Sequence, residues 1–257
     1  MQITTRQGTR LTVIATGRLL ADGGAMFGRV PKTLWQDCFP ADHANNITLG
    51  TNAVLIERPG SLTLFDAGPR SHYTADERAA YGLPDEAAGL PGRVDRLILS
   101  HLHYDHCGGV HDVTANEVLV SKTEWRAAAE PDALSMESIR PCDLAAIAPR
   151  LRLVEAPGQI APGLELLFTP GHTAGHLSLL IDDEILCVAD LIPTRAHLRP
   201  DWIMGYDLYP LSVLAQKRRI LELAGQRGWR LILPHEPEPA LVDVRLGGSG
   251  FSAQTAK

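Results

Sequence analysis

"SHLHYDHCGG", residues 100–109, sets His101, His103, Asp105 and His106 within six consecutive positions and follows them with two glycines. The stretch continues from "VDRLILS" (94–100), a run of branched apolar residues that reads as a buried strand. The four polar side chains therefore leave a strand end on a tight loop, where alternate residues can converge on one point, and Gly108 and Gly109 close that loop. Neutral imidazoles and a carboxylate form the borderline donor set that zinc prefers and that iron, manganese and cobalt accept. A polar loop without a metal is the competing reading, and four donors in so short a span weigh against it.

Three further candidate donors stand at the ends of strand-like runs: His172 after "LELLFTPG" (164–171), Asp190 closing "ILCVAD" (185–190), and His235 after "RLILP" (230–234). Strand ends that share one edge of a sandwich bring such distant positions together. Seven donors exceed the needs of one tetrahedral ion and suit two divalent ions that share a carboxylate.

Other short apolar runs bounded by turn residues also read as strands: "LTVIATG" (11–17), "NAVLIER" (52–58), "LTLFDAG" (62–68), "EVLVS" (117–121), "LRLVE" (151–155) and "LSLLID" (177–182). "RPGS" (58–61) and "DDE" (182–184) sit between paired runs as hairpin turns do. Helical spacing marks "SKTEWRAAAE" (121–130), opened by a capping-box pattern from Ser121 to Glu124. It also marks "PLSVLAQKRRILELAGQRG" (210–228), with Leu211, Leu214, Ile220, Leu221 and Leu223 on an apolar side and a glycine at the end. The Lys217-Arg218-Arg219 run in that helix reads as a solvated face. The whole predicts an α/β chain with two β-sheets packed face to face and helices outside, in a single domain over 1–257.

Composition narrows the partners. A net charge of −6 gives no general attraction for nucleic acid or anionic lipid, and no apolar run approaches the roughly 18 residues of a membrane helix. The N-terminal segment has no signal-peptide core, so the cytoplasm is the expected location. Cys38, Cys107, Cys142 and Cys187 are widely spaced and lack a CxxC pair, which predicts free thiols. "GxSxG" is absent, and "GGSG" (247–250) reads as a flexible tail.

Taken together, "HLHYDHCGG", "TPGHTAGH", Asp190 and His235 resemble the metallo-β-lactamase-fold hydrolase superfamily, over about residues 45 to 240. The resemblance implies an αββα sandwich of two mixed β-sheets with helices on the outer faces. It implies that His101, His103 and His172 hold one metal, that Asp105, His106 and His235 hold a second, and that Asp190 bridges them. Asp66 resembles the family's aspartate that accepts a ligand histidine's N–H. The cofactors implied are two divalent ions, zinc first, with iron, manganese or cobalt as alternatives. The chemistry implied is hydrolysis by a metal-bound hydroxide, with Asp105 or Asp190 relaying a proton to the leaving group.

Within the superfamily, the β-lactamases generally lack a counterpart of Asp190, and glyoxalase II-type thiolesterases carry a helical domain after the core, an expectation that the about 22 residues following His235 weaken. "GGAMFGRVPKTLW" (23–35) resembles the N-terminal segment of quorum-quenching N-acyl homoserine lactonases. A lactone or ester is thus the expected small-molecule substrate, with a phosphotriesterase or arylesterase using the same metals as the alternative. Met26, Phe27 and Val30 read equally as core or as the wall of an acyl pocket, and the resemblance suggests a homodimer. One departure stands out: many such lactonases carry a tyrosine shortly after the bridging aspartate, whereas "LIPTRAHL" follows Asp190. Tyr206, Tyr209, Thr194 and His197 are the candidates to replace it. His176 reads as a hydrogen-bonded structural residue, and His43, His72 and His111 as surface residues.

Overall fold

The computed structural model describes residues 1–83, 89–239, 241–247 and 250–255. The first sheet contains β1 (Gln2–Thr4), β2 (Arg10–Asp22), β3 (Asn46–Arg58), β4 (Ser61–Phe65), β5 (Arg93–Ile98), β6 (Thr114–Ser121) and β7 (Leu151–Val154), lying side by side in chain order. The second contains β8 (Gly158–Ala161), β9 (Leu164–Phe168), β10 (Leu177–Ile181), β11 (Ile185–Cys187), β12 (Arg230–Ile232), β13 (Leu241–Gly247) and β14 (Gly250–Thr255), again in order. Both sheets are mixed. Strands β4 to β7 run parallel and the rest of the first sheet is antiparallel, while in the second only β11 and β12 are parallel.

Helices α1 (Gly23–Phe27) and α2 (Lys32–Trp35) follow β2, and α3 (Ala75–Ala80) precedes β5. Helices α4 (Tyr104–Cys107), α5 (Lys122–Ala129) and α6 (Pro141–Ile147) interrupt the parallel strands, and α7 (Pro210–Arg227) makes the crossover from β11 to β12. The sheets face each other through Val13, Ile56, Phe65 and Ile98 on one side and Leu166, Leu179, Ile185 and Ile232 on the other. Ala128 of α5 and Ile147 of α6 cover the outside of the first sheet, and Val213, Ile220 and Ala224 of α7 cover the outside of the second. The order helix, sheet, sheet, helix explains the sequence pattern. β10, covered on both faces, is apolar except for Ser178, whereas β2 alternates between buried and outward positions.

Both anticipated hairpins are present, between β3 and β4 and between β10 and β11. Helix α7 ends at Gly228 in the left-handed conformation, φ 70°. Two expectations for that helix are corrected. Leu211 is 81% exposed in its first turn, and Lys217 is buried. The covered stripe is Val213, Lys217, Ile220, Leu221 and Ala224, so the lysine occupies a core position of the helical repeat. Its Nζ donates to the Trp202 carbonyl at 2.6 Å.

The expected tail is also corrected: Gly247 and Gly250 pair across the antiparallel β13 and β14, while Gly248 and Ser249 lie outside the described residues. In the capping box, Ser121 accepts from the Glu124 amide at 3.0 Å, but the Glu124 carboxylate turns away toward other loops.

The β2–β3 hairpin is longer than the sandwich needs. Beyond a bulge at Ala15/Gly17 its far half carries Leu19, Ala21, Ile47 and Leu49 into a separate apolar cluster with Met26, Phe27, Trp35 and Met204. Gly50 marks the departure. A Cβ there would collide with the Glu236 carbonyl, so glycine lets β3 pass against the loop after β12.

Candidate metal centre

Every predicted donor lies at a C-terminal strand end on one edge of the sandwich. His101 and His103 follow β5, and Asp105 and His106 lie in α4. His172 follows β9, Asp190 sits in a 3-10 turn after β11, and His235 follows β12. Gly109 donates its amide to the Gly68 carbonyl at 2.9 Å, and a side chain there would strike the Ala67 carbonyl, so this glycine holds the loop against the end of β4. Asp66, φ 55°, and Ala189, φ 47°, adopt the left-handed conformation beside the site, which costs a non-glycine residue about 1 kcal/mol or more.

The structure brings all seven together. His101, His103 and His172 present ring nitrogens to one point, and Asp105, His106 and His235 converge on a second. Asp190 lies between: its Oδ1 is 3.1 Å from Nε2 of both His106 and His235, and its Oδ2 is 3.3 Å from Nε2 of His172. Asp105 Oδ2 is 3.7 Å from His106 Nε2 and 3.6 Å from His235 Nε2.

The back side of four of the five rings is occupied. His106 Nδ1 donates to Asp66 Oδ2 at 2.9 Å, His172 Nδ1 to Asp207 Oδ1 at 2.9 Å, and His235 Nδ1 to the Gly50 carbonyl at 2.8 Å. Ser100 gives its hydroxyl proton to Asp66 and so accepts from His101 Nδ1 at 2.9 Å. With one nitrogen of each of these rings spent as a donor, the other offers a lone pair toward the centre. The His101 Nε2 atom is buried without a hydrogen-bond partner, as is Asp190 Oδ1. His106 Nε2 and His235 Nε2 face each other at 3.3 Å, two acceptors that repel unless a cation stands between them. The donor set thus fits divalent metal on the structure's own terms.

Electrostatics agree. Burial and the neighbouring imidazoles push His101 and His103 well below the ordinary histidine range. Burial also opposes a charge on His106, His172 and His235, yet Asp190 and its fellow carboxylates outweigh it and raise all three. Burial likewise works against ionised Asp190, but the surrounding imidazoles hold it well below the carboxylate range. The pocket therefore stabilises a buried anion that calls for positive charge.

Two residues not singled out for the site bear on it. Asp207 orients His172 and accepts from the Met204 amide at 2.9 Å. Buried Glu124 accepts from the Leu102 amide, the Thr173 hydroxyl and the Gly175 amide at 3.1, 2.7 and 3.0 Å, joining the two histidine loops. Their sequence signal was slight: Glu124 read as part of a capping box, and Asp207 stands unremarked between Tyr206 and Tyr209. His176 is fully buried and shares a hydrogen bond of 2.9 Å with Thr169 Oγ1, and burial lowers its pKa to about 3. His43 and His72 are exposed, and His111 pairs with Asp143.

Above the donor cluster opens a cavity of about 570 Å³, with His103, Asp105, His172, Asp190 and His235 in its floor. Leu19, Met26, Leu49, Met204 and Leu208 form apolar walls, and Tyr81, Tyr104 and Tyr206 line it as well. Among the described residues no lysine or arginine lines it. Met26 faces this cavity, while Phe27 is wholly buried between Trp35 and His197, so the "AMFGRV" segment serves in part as pocket wall and in part as core. Of the four candidates for the missing tyrosine, Tyr206 lines the cavity and Tyr209 does not. His197 is consumed by Thr194 and the Met26 carbonyl, at 2.8 and 2.9 Å, away from it.

The sequence model of the metallo-beta-lactamase superfamily matches residues 47–235. Among solved structures, a probable metal-dependent hydrolase from Staphylococcus aureus is 25% identical, with TM-score 0.88, covering 100% of this chain and 99% of its own. AidC, a dizinc quorum-quenching lactonase in complex with a product, is 22% identical, with TM-score 0.80 over 100% of this chain and 97% of its own. A mutant of B. thuringiensis AiiA with N-decanoyl-L-homoserine bound at the active site is 22% identical, with TM-score 0.66 over 88% and 93%. No curated protein matches the chain.

Proposed function

This chain belongs to the metallo-beta-lactamase superfamily, and from that premise we propose that it is a dinuclear metal-dependent hydrolase that opens lactone rings, those of acyl homoserine lactones first. One observation carries the dinuclear reading: the two oxygens of Asp190 turn toward different imidazole groups, Oδ1 to His106 and His235, Oδ2 to His172. A carboxylate so placed between donor sets is the arrangement that two ions share. His101, His103 and His172 would hold one ion, Asp105, His106 and His235 the other. Zinc suits these nitrogen and oxygen donors. Ions bound there supply an acidified water and Lewis-acid polarisation of the substrate oxygen.

The chain's own residues define the rest. Asp105 is the more accessible of the two donor carboxylates and borders the cavity, where it can take the nucleophile's proton and return it to the leaving alkoxide. The apolar walls exclude water from one side of the reacting carbonyl and suit an acyl chain. With no lysine or arginine among the described lining residues, the cavity walls offer no fixed counter-ion to a substrate carboxylate, which favours neutral esters. The Tyr206 hydroxyl is the donor nearest in role to the absent tyrosine.

The test is a substrate panel of acyl homoserine lactones, simple lactones, paraoxon-like triesters and nitrocefin on protein of measured metal content. Acyl homoserine lactones should give the highest kcat/KM, with triesters turned over more slowly. Triester turnover exceeding every lactone by about tenfold, equivalent to about 1.4 kcal/mol of transition-state preference, overturns the lactonase reading in favour of the phosphotriesterase.

A further inference from the structure

A second donor cluster lies outside the cavity, where the 3-10 turn after α4 meets the first turn of α6. His111, Cys142 and Asp143 each offer one ligand atom, and these atoms all lie within 4.8 Å of one another. His111 Nε2 is 2.8 Å from Asp143 Oδ1, and Cys142 Sγ is 3.5 Å from the same oxygen. The Asp143 side chain is 1% exposed, that of His111 is 32% exposed, and Cys142 is exposed. The other carboxylate oxygen, Oδ2, accepts from the buried Cys107 thiol at 3.7 Å. Among the described residues, no lysine or arginine pairs with this carboxylate. A buried carboxylate satisfied by one imidazole and two thiols is unusual, because such groups are ordinarily paired with a fixed cation.

We propose that His111, Cys142 and Asp143 form a separate site for one thiophilic divalent cation of the zinc class. Around a tetrahedral zinc, a sulfur at ~2.3 Å and an oxygen at ~2.0 Å stand about 3.5 Å apart, while nitrogen and oxygen ligands stand about 3.3 Å apart. The Cys142–Asp143 separation already has the first value, and the His111–Asp143 pair must open by about half an ångström to reach the second. The fourth position faces solvent and is filled by water. Binding releases the Cys142 thiol proton to solvent, and the His111 ring keeps its one proton on Nδ1 so that Nε2 presents a lone pair. The Cys107 thiol continues to donate to Oδ2 and orients the carboxylate, as the partners of a metal ligand do. Cation bound here ties the turn that follows Asp105 and His106 to the start of α6.

Thiolate separates this site from the dinuclear one, whose donors are all nitrogen and oxygen. Protein reconstituted with two equivalents of zinc and titrated with Co²⁺ should develop a thiolate-to-cobalt charge-transfer absorption in the near ultraviolet, saturating at one further equivalent. Cys142→Ser should abolish the band, and His111→Gln should weaken Co²⁺ binding at least tenfold. Both substitutions are at exposed positions and should leave hydrolase activity unchanged. No band in the parent protein overturns the proposal, as does a band that survives Cys142→Ser or one whose affinity is indifferent to His111→Gln.

Discussion

Replacing Lys217 by methionine tests the least expected feature of the core. Burial pushes the Lys217 ammonium down from 10.5 to about 7, against the weaker pull of Asp207 and Asp201. A change of that size corresponds to about 5 kcal/mol between the charged and neutral forms. The sign follows from proton uptake. Between pH 7 and 10.5 the unfolded chain holds the lysine proton and the folded chain does not, so stability rises with pH across that window.

Below pH 7 the folded protein carries the buried charge at full cost. Over pH 6 to 9 the contribution amounts to about 2.5 kcal/mol. Lys217→Met removes the titration together with the hydrogen bond to the Trp202 carbonyl, itself worth about 1 kcal/mol. Urea denaturation of both proteins at matched metal content, repeated from pH 6 to 9, should find the variant relatively most stable at pH 6. Its advantage should shrink by about 2.5 kcal/mol by pH 9. A stability difference that stays constant over this range would refute the assignment of a neutral buried lysine.

Asp190→Ala should lower bound metal from two equivalents to one or fewer and cut kcat/KM by at least about 10²-fold, whereas His176→Ala should keep both ions and lower the unfolding midpoint. Equal metal loss in the two variants, measured by elemental analysis, contradicts the assignment of roles. Asp207→Ala frees the Nδ1 of His172 and should weaken metal retention about 10- to 100-fold in competition with a chelator; unchanged retention would mean that the hydrogen bond does not orient the ring. Tyr206→Phe should reduce lactone kcat/KM by less than about tenfold, far below the 10²–10³ lost with an oxyanion donor, and a larger loss would restore a tyrosine-assisted mechanism from this loop.

Much of the centre is legible in the chain because each donor directly follows an apolar run, and a strand's end fixes where its next residues go. Asp66, His101, His172 and His235 are found this way. Glu124 and Asp207 are not, because their roles depend on which remote loops arrive beside them, and nothing local distinguishes them from a cap or a surface acid. Lys217 is different. The spacing of Val213, Ile220 and Ala224 places it on the buried stripe, so periodicity held the answer and residue type overrode it. Strands β1 (Gln2–Thr4) and β8 (Gly158–Ala161) each carry a single branched apolar residue, Ile3 and Ile160, and so lack the consecutive apolar run that marks the equally short β11 and β12. β13 does alternate, in Val242, Val244 and Leu246, but its neighbouring glycines suggested a tail.

The overhang of the β2–β3 hairpin divides labour within single strands. On one side of Gly50, β3 belongs to the sandwich, and the Gly50 carbonyl accepts a hydrogen bond from His235; on the other, Asn46 and Leu49 border the cavity and Ile47 packs in the cluster that holds Met26. Residues 18–22 of β2 run alongside them in register. Substitutions at Leu19, Asn46 or Leu49 should change the shape of the chamber and leave the donor cluster in its floor in place, which substrate profiles and metal content of the variants would check. The far half of the β2–β3 pair is thus chamber wall that a substitution can alter without replacing any of the seven donors.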